Sequence, residues 1–316
     1  MIFSVVTPSY NSAAALRRCV GSVRGQSHAG VEHIVMDGGS TDGTVAWLTQ
    51  WQETEPRGKQ GAPEPVARSF RWASAPDRGM YDAIGKGWAQ ARGDVLSWLN
   101  CDEQYLPGTL ARVAQAFIDD PGTDVVFGDT LIVAPDGTPL ASRREIPLRC
   151  GYVKNGFLYA LSCATFFRRR LWTDGLLCLD SRYRYAADME LMLHLLSAKK
   201  KIRHIPACLA LFGVDGGNLS ATQARAMAGE VEAIRHSYHA LPGPLRPPYR
   251  ALRCLERLIA GCYRTEAVSY AFAVDEAPHY RDIPPTPVGF RFSYARAARQ
   301  LAAGNHPSVS GSRDHA

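Results

Sequence analysis

No run of apolar residues in this 316-residue chain approaches the roughly 18 that a membrane-spanning helix needs. The amino terminus, Met1-Ile2-Phe3-Ser4-Val5-Val6, is apolar but short and is broken at once by Thr7-Pro8. It lacks the basic start and long apolar region of a secretory signal. There are eight cysteines (Cys19, Cys101, Cys150, Cys163, Cys178, Cys208, Cys254 and Cys262), and no two are spaced as Cys-x-x-Cys. A zinc ribbon or a disulfide framework is therefore not indicated. Several of these thiols fall in apolar stretches and read as reduced core residues. A reducing, cytoplasmic location follows as the expectation, with peripheral contact at the inner face of the cell membrane left open. Neither sign of charge dominates: 36 Lys and Arg face 30 Asp and Glu, a formal charge of +6. With no nucleic-acid motif, no nucleic-acid partner is expected. So mild an excess fits a diphosphate or an anionic membrane surface. The chain shows no internal repeat.

What is present is a core-forming composition, 46% hydrophobic, arranged as strand, helix, strand, helix. Ile2 to Thr7 reads as a buried strand. The turn Pro8-Ser9-Tyr10-Asn11-Ser12 follows, with Ser12 placed to cap a helix carrying Leu16, Cys19, Val20 and Val23 at helical spacing. Val31 to Met36 is a second strand, ending in the loop Asp37-Gly38-Gly39-Ser40-Thr41-Asp42-Gly43-Thr44. A polar insertion from Pro56 to Pro65 precedes a third strand near Ser69 to Ala73 and a helix from Met80 to Ala91. Val95 to Leu99 is a strand ending at Asn100-Cys101-Asp102-Glu103, and a helix after Pro107 leads to a strand at Asp124 to Phe127. This order predicts an α/β fold with a mainly parallel central sheet. A hairpin around Pro135-Asp136-Gly137 follows. The later chain reads as a helix from Asp188 to Ala198, an extended stretch from Ile202 to Phe212, and helices from Ala221 to Tyr238 and Tyr249 to Tyr263.

In an open parallel sheet, ligands bind beyond the carboxyl ends of the strands. Three such ends carry polar clusters: Thr7 to Asn11, Asp37 to Ser40, and Asn100 to Glu103. Adjacent carboxylates at Asp102 and Glu103 can hold a hard cation, Mg²⁺ or Mn²⁺, that bridges the phosphates of a nucleotide diphosphate. The same pair also reads as a solvated acidic turn or a cap for the next helix. Asp188 and Glu190 lie near a helix start. Residues two apart point in different directions, so one of them, Asp188, is chosen as the base that takes a proton from an acceptor hydroxyl. Favourable placement of acids at a positive helix end explains both equally well. In Asp77-Arg78-Gly79-Met80-Tyr81-Asp82-Ala83-Ile84-Gly85-Lys86, Asp77 can accept from a nucleotide, and Arg78 and Lys86 can neutralise phosphate. Equally, Asp77 caps the helix and Lys86 is a solvated face residue.

Taken together these residues resemble the family 2 inverting glycosyltransferases with the A-type nucleotide-binding fold. The matching segments are Val5 to Asn11, Asp37 to Thr44, Asp77 to Ala83, Leu99 to Glu103 and Ala187 to Leu191, in that order, over roughly residues 1 to 220. The resemblance implies that Thr7, Pro8 and Tyr10 line the base pocket, that Asp37 bonds the nucleobase and that Asp77 supports the nucleotide. It places Asp102 and Glu103 at the family's paired-acid position at metal and ribose, makes Asp188 the base, and has Gly216 to Ser220 close over the site. Asn11, Gly38, Arg78, Lys86 and Asn100 join the nucleotide-sugar-binding candidates. Two positions depart from the pattern: Glu103 stands for a second aspartate, and Ser162-Cys163-Ala164-Thr165 replaces a His-Gln pair. The expected donor is a UDP-, GDP- or dTDP-sugar, the cofactor Mg²⁺ or Mn²⁺. The expected acceptor is a saccharide or a lipid-linked acceptor in surface-polysaccharide synthesis. The alternatives are a sugar nucleotidyltransferase and a catalytically inactive nucleotide-sugar-binding subunit.

The expected organisation is an A-type domain over 1–220, a helical extension over 221–305 and a disordered tail over 306–316. Within the extension, Leu252, Leu255, Leu258 and Ile259 alternate with Arg250, Arg253, Arg257 and Arg264. This reads either as a basic amphipathic helix on a membrane or as a helix packed on the domain with a charged outer face.

Overall fold

The first strand is buried along its whole length because helices cover it on both sides. In the computed structural model, which describes residues 1–54, 68–214, 222–273 and 279–286, Phe3 and Val5 of β1 (Phe3–Ser9) pack with Cys19 and Val23 of α1 (Ala13–Arg24). Val6 faces the other way, onto Ile84 and Trp88 of α3 (Met80–Gln90). This helix lies so close to the sheet that a Cβ on Gly87 would fall 2.4 Å from a Val6 methyl, so only glycine admits the approach.

β2 (Val31–Asp37), α2 (Thr44–Thr54), β3 (Arg68–Ser74) and β4 (Val95–Trp98) complete the amino-terminal half. The strand order β3-β2-β1-β4 is parallel throughout. Register aligns Ser9 with Asp37 and Val6 with Trp98, so the polar strand ends gather on one rim, as parallel strands joined by helices require.

Beyond β4 the sheet becomes mixed. β5 (Glu103–Tyr105), α4 (Thr109–Asp119), β6 (Val125–Val133), β7 (Pro139–Arg143), α5 (Cys150–Asn155), β8 (Thr165–Arg168), α6 (Arg169–Thr173), α7 (Ala187–Ser197) and β9 (Ile202–Gly213) follow in sequence. The order continues β4-β8-β6-β9-β5, with β7 on β6. The β6–β9 pair is parallel, while β8, β7 and β5 run antiparallel to their neighbours. The fold is α/β with a mainly parallel centre, as the alternating pattern predicts. The hairpin at 135–137 joins β6 to β7, and β6 runs six residues beyond the expected end at Phe127.

The carboxy-terminal part contains α8 (Ala224–Ser237) and α9 (Pro247–Ile259), but also the paired strands β10 (Glu266–Tyr270) and β11 (His279–Ile283). The expectation of helices alone missed this hairpin. Its signal is the period-two burial of Val268 and Tyr270, which pack with Ile283 onto Leu106, Leu131, Val133 and Leu211. The insertion at 56–65, the segment at 216–220, the boundary at 220 and the tail at 306–316 lie outside the described residues.

α9 matches neither expected orientation in full. It packs on the domain, yet Arg253 and Arg257 are buried while Leu252, Leu255, Leu258 and Ile259 are 52–79% exposed. The reason is Glu145. Arg143 Nε donates to this buried carboxylate at 3.1 Å, Arg253 also pairs with it, and Arg257 Nε lies 3.4 Å away. Arg257 also donates to the Arg144 carbonyl at 2.7 Å. A buried carboxylate needs cations around it, and the helix turns its arginines inward to supply them.

Candidate functional site

The strand ends open into one cavity of about 1190 Å³. Pro8, Tyr10, Gly38, Asp77, Arg78, Asn100, Asp102, Glu103 and Asp188 all line it. Residues separated by up to 180 positions in the chain thus meet because β1, β2 and β4 end together and α3 and α7 close the side.

The remaining candidates are placed differently. Thr7 is fully buried, with its hydroxyl 2.9 Å from His33 Nε2 and 3.6 Å from Cys19 Sγ, so it braces β1 on β2 beneath the cavity. Asp37 is also buried. Its Oδ2 accepts from Gly39 N–H, Ser40 N–H and the Ser74 hydroxyl at 3.1, 2.9 and 2.6 Å. Its carboxylate is spent on shaping the glycine-rich loop. Asn11 adopts a left-handed φ of 47°. Its N–H donates to Ser40 Oγ at 2.7 Å and its side-chain oxygen accepts from Thr41 N–H at 2.8 Å, clamping the two loops together. Lys86 is not on the cavity wall. It pairs with Asp82 at 2.7 Å one helical turn away, and it is the first cause of an Asp82 carboxyl held down at about 2.

Loop geometry brings the wall residues close. A Cβ on Gly38 would stand 2.9 Å from Asp77 Oδ2 and 3.4 Å from the Tyr10 ring; the bare backbone lets these groups crowd one corner. Asp77 accepts from Gly79 N–H at 2.7 Å at the start of α3. Ser12 makes no cap for α1: its hydroxyl donates to the Tyr10 carbonyl. Asp42 instead accepts from Ala13 N–H at 3.0 Å and Thr44 N–H at 3.1 Å, serving the first turns of two helices at once.

At the end of β4, Glu103 Oε2 accepts from Asn100 N–H at 2.8 Å, which folds the acidic turn back on itself. Burial, and then the neighbouring Asp102 charge, push the Glu103 carboxyl well above the usual carboxylate range. Among the described residues, five buried polar atoms of residues that line the cavity have no hydrogen-bond partner: Ser9 Oγ, Trp98 Nε1, Asn100 Oδ1, Glu103 Oε1 and Arg235 Nε. Each such orphan costs about 1–3 kcal/mol, and these atoms lie beneath the cavity surface, not on it. Among the described residues no group of three or more His, Cys, Asp or Glu side chains is arranged to hold a metal.

Asp188 sits in the first turn of α7 and faces the cavity, where Tyr81 OH donates to its Oδ1 at 3.2 Å. Glu190 turns away and accepts from Tyr238 OH at 2.8 Å. The helix start is capped from another element: Glu230 of α8 accepts from the N–H groups of Arg184, Tyr185 and Ala186 at 2.8, 2.7 and 3.0 Å. Sequence reasoning missed Glu230 and Tyr81. Glu230 carries no local signal, since its partners lie 44–46 positions away. Tyr81 lies inside the Asp77 to Ala83 segment, where nothing local points to a partner 107 positions on. Arg143 and Phe157 also line the cavity, and neither was among the expected site residues.

Comparison with known proteins bears on this geometry. The sequence model described as glycosyl transferase family 2 matches residues 4–178. An uncharacterised glycosyltransferase of Mycobacterium tuberculosis is 39% identical over 115 residues, 36% of this chain and 38% of that protein. A PGL/p-HBAD biosynthesis glycosyltransferase of Mycobacterium bovis is 33% identical over 132 residues, 42% of this chain and 47% of the other. The matched stretches thus span less than half the length of these relatives. Among solved structures, Staphylococcus aureus TarS residues 1–349 in complex with UDP-GlcNAc superposes with a TM-score of 0.55 and 16% identity, over 90% of this chain and 100% of that one. The mannosyltransferase PcManGT of Pyrobaculum calidifontis, in complex with GDP-Man and Mn²⁺, gives 0.52 and 17%, over 82% and 75%. These two likenesses show the fold.

Proposed function

The chain belongs to glycosyl transferase family 2, and we propose that it moves one sugar, with inversion, from a nucleoside diphosphate sugar to a hydroxyl of a saccharide or lipid-linked acceptor. The observation that carries this reading is the cavity at the strand ends that gathers Asp77, Arg78, Asp102 and Asp188. Such a wall suits a ligand rich in hydroxyls and phosphate oxygens. The neighbours seen with UDP-GlcNAc and GDP-Man support a nucleotide-sugar donor.

The donor lies along the strand ends. Tyr10, Gly38 and Asp77 form the nucleotide corner, and the bare Gly38 backbone allows a flat base to approach. Arg78 reaches the phosphates from the start of α3. Asp188 takes the proton of the acceptor hydroxyl as that oxygen attacks the anomeric carbon. The bond to the nucleoside diphosphate breaks on the opposite face of the sugar, so the configuration inverts. Tyr81 and the Glu230 cap hold the Asp188 carboxylate in place during this step.

Mg²⁺ or Mn²⁺ fits the acidic turn. Such ions bind through one or two carboxylates together with substrate phosphates, so the absence of a three-ligand cluster does not weigh against them. Asp102 would hold the cation, with Glu103 beneath it. A nearby cation would favour the ionised form of the Glu103 carboxyl, which burial and the Asp102 charge disfavour. When bound, the metal stabilises negative charge on the leaving diphosphate.

Asp188→Asn tests the reading. It should abolish transfer, a fall on the order of 10²–10⁴, while donor affinity measured by calorimetry stays nearly intact. Lost affinity with surviving transfer would remove Asp188 from the role of base.

A further inference from the structure

A helix resting on a domain normally buries its apolar arc, and α9 does the reverse. Leu252, Leu255, Leu258 and Ile259 are exposed by 52, 53, 56 and 79%. At 100° per residue they share one arc with Ala251, also exposed. Leu245, just ahead of the helix, is 57% exposed and extends the patch. The inner arc is locked by Arg253 and Arg257 around Glu145. Rolling the helix over to bury the leucines would strip that buried carboxylate of two cations. The outward stripe is therefore a fixed feature of the fold.

Three observations say what covers it. First, the four side chains expose an area on the order of 400 Å², against about 800 Å² that each partner of a stable dimer buries. Second, the arc is purely aliphatic, without the aromatic residues that protein interfaces enrich. Third, arginine flanks it. Arg250 lies on the helix between the buried and the apolar arcs, and Arg264 follows the helix end; both are exposed. Arg253 and Arg257 are turned inward to Glu145 and Arg246 pairs with Glu232, so Arg250 and Arg264 are the arginines beside the stripe, and the one acid of the helix, Glu256, is tied to Arg149. An aliphatic stripe bordered by arginine matches a helix lying in the interface of an anionic bilayer.

We propose that the outward face of α9 docks on an anionic membrane surface. Its use, holding the cavity beside a lipid-linked acceptor, rests on the transferase reading given above. The geometry connects the two. The Arg253 guanidinium packs on Phe157 and Tyr159 with centroid distances of 4.6 and 4.4 Å. Phe157 is part of the cavity wall, so the docking helix stands directly behind that wall.

The test is co-sedimentation of the full chain with phosphatidylcholine vesicles, with and without phosphatidylglycerol. The wild type should bind the anionic vesicles and lose most of that binding on neutral vesicles or in high salt. The double variant Leu255→Gln, Ile259→Gln changes exposed positions only and should fold normally. Its vesicle partitioning should fall roughly tenfold or more. A wild type that stays in the supernatant overturns the proposal, as does a double variant that sediments like the wild type. A lipid-independent dimer that the double variant dissolves also overturns it, in favour of a second copy on this face. Consumption of nucleotide sugar without vesicles reads the transferase reading separately. Vesicle binding by a chain that consumes none removes that reading and keeps the docking face.

Discussion

At the scale of residues, the site depends on groups that hold Asp188 without being acids or bases themselves. Tyr81 gives its carboxylate a hydrogen bond at 3.2 Å, and bonds to charged groups are worth about 1.5–3 kcal/mol. Tyr81→Phe should lower kcat by tenfold or more and leave the KM for donor unchanged. A change in KM alone would mean that the hydroxyl serves donor binding instead. Glu230→Ala removes three backbone partners at the start of α7, and should cost about 1–3 kcal/mol of unfolding free energy together with kcat. Steady-state kinetics and urea denaturation check both. These partners show why side-chain identity was more legible than side-chain placement. The sequence points to Thr7, Asp37 and Lys86 as readily as to Asp102. Whether a strand residue faces the cavity or the layer beneath turns on one step of register, and Thr7 falls on the hidden side with His33. Asp37 sits at the right strand end but spends its oxygens on its own loop.

At the scale of elements, the β1–β2 pair carries a pH-dependent term. Burial holds the His33 imidazole at about 3, below its usual 6.5. Below pH 6.5 the unfolded chain therefore binds a proton that the folded chain refuses. Stability falls as pH drops from 6.5 towards 3, by about 1.4 kcal/mol per pH unit for one proton. His33→Gln keeps a polar partner for Thr7 and removes this term. Unfolding free energies of the variant, measured from pH 6.5 to 4, should decline less steeply than those of the wild type by that slope. Identical slopes would mean that the folded imidazole is charged. The packing of α9 offers a second check. Glu145→Ala leaves Arg143, Arg253 and Arg257 around an empty carboxylate site. Breaking a buried pair costs about 3–5 kcal/mol, which chemical denaturation would read. The existence of this helix was plain from its periodicity, although it runs from Pro247 to Ile259 and not from Tyr249 to Tyr263. Its orientation was not, because an amphipathic pattern defines two faces without saying which one meets the domain. The deciding residue, Glu145, lies 108 positions from Arg253. The later strands were hidden for a similar reason: β8 inserts antiparallel between β4 and β6, and β5 joins the edge of the sheet antiparallel to the distant β9, whereas β1 to β4 follow one another through local strand–helix units.

At the scale of the whole molecule, function rests on the convergence of strand ends, and this was the most legible feature of all. Parallel strands linked by helices must end on one rim, so motifs at three strand ends had to meet, whatever their individual roles. The volume of the cavity was not legible, since it depends on how α7 and the 157–162 segment close the side. The same cavity supplies the last prediction. A donor seated in it binds the folded chain alone. A ligand at a hundred times its Kd stabilises by about 2.7 kcal/mol, a rise of several degrees in Tm for a chain of this size. In a screen of UDP-, GDP- and dTDP-sugars with and without Mn²⁺, one nucleotide class should give that rise, and Mn²⁺ should enlarge it. Asp102→Asn should keep a donor-dependent shift while losing the part that Mn²⁺ adds, because the base and sugar contacts remain and the carboxylate that holds the cation is gone. A Mn²⁺ increment that survives in Asp102→Asn would place the metal elsewhere on the wall. A flat response to every donor would remove the nucleotide-sugar reading of this cavity.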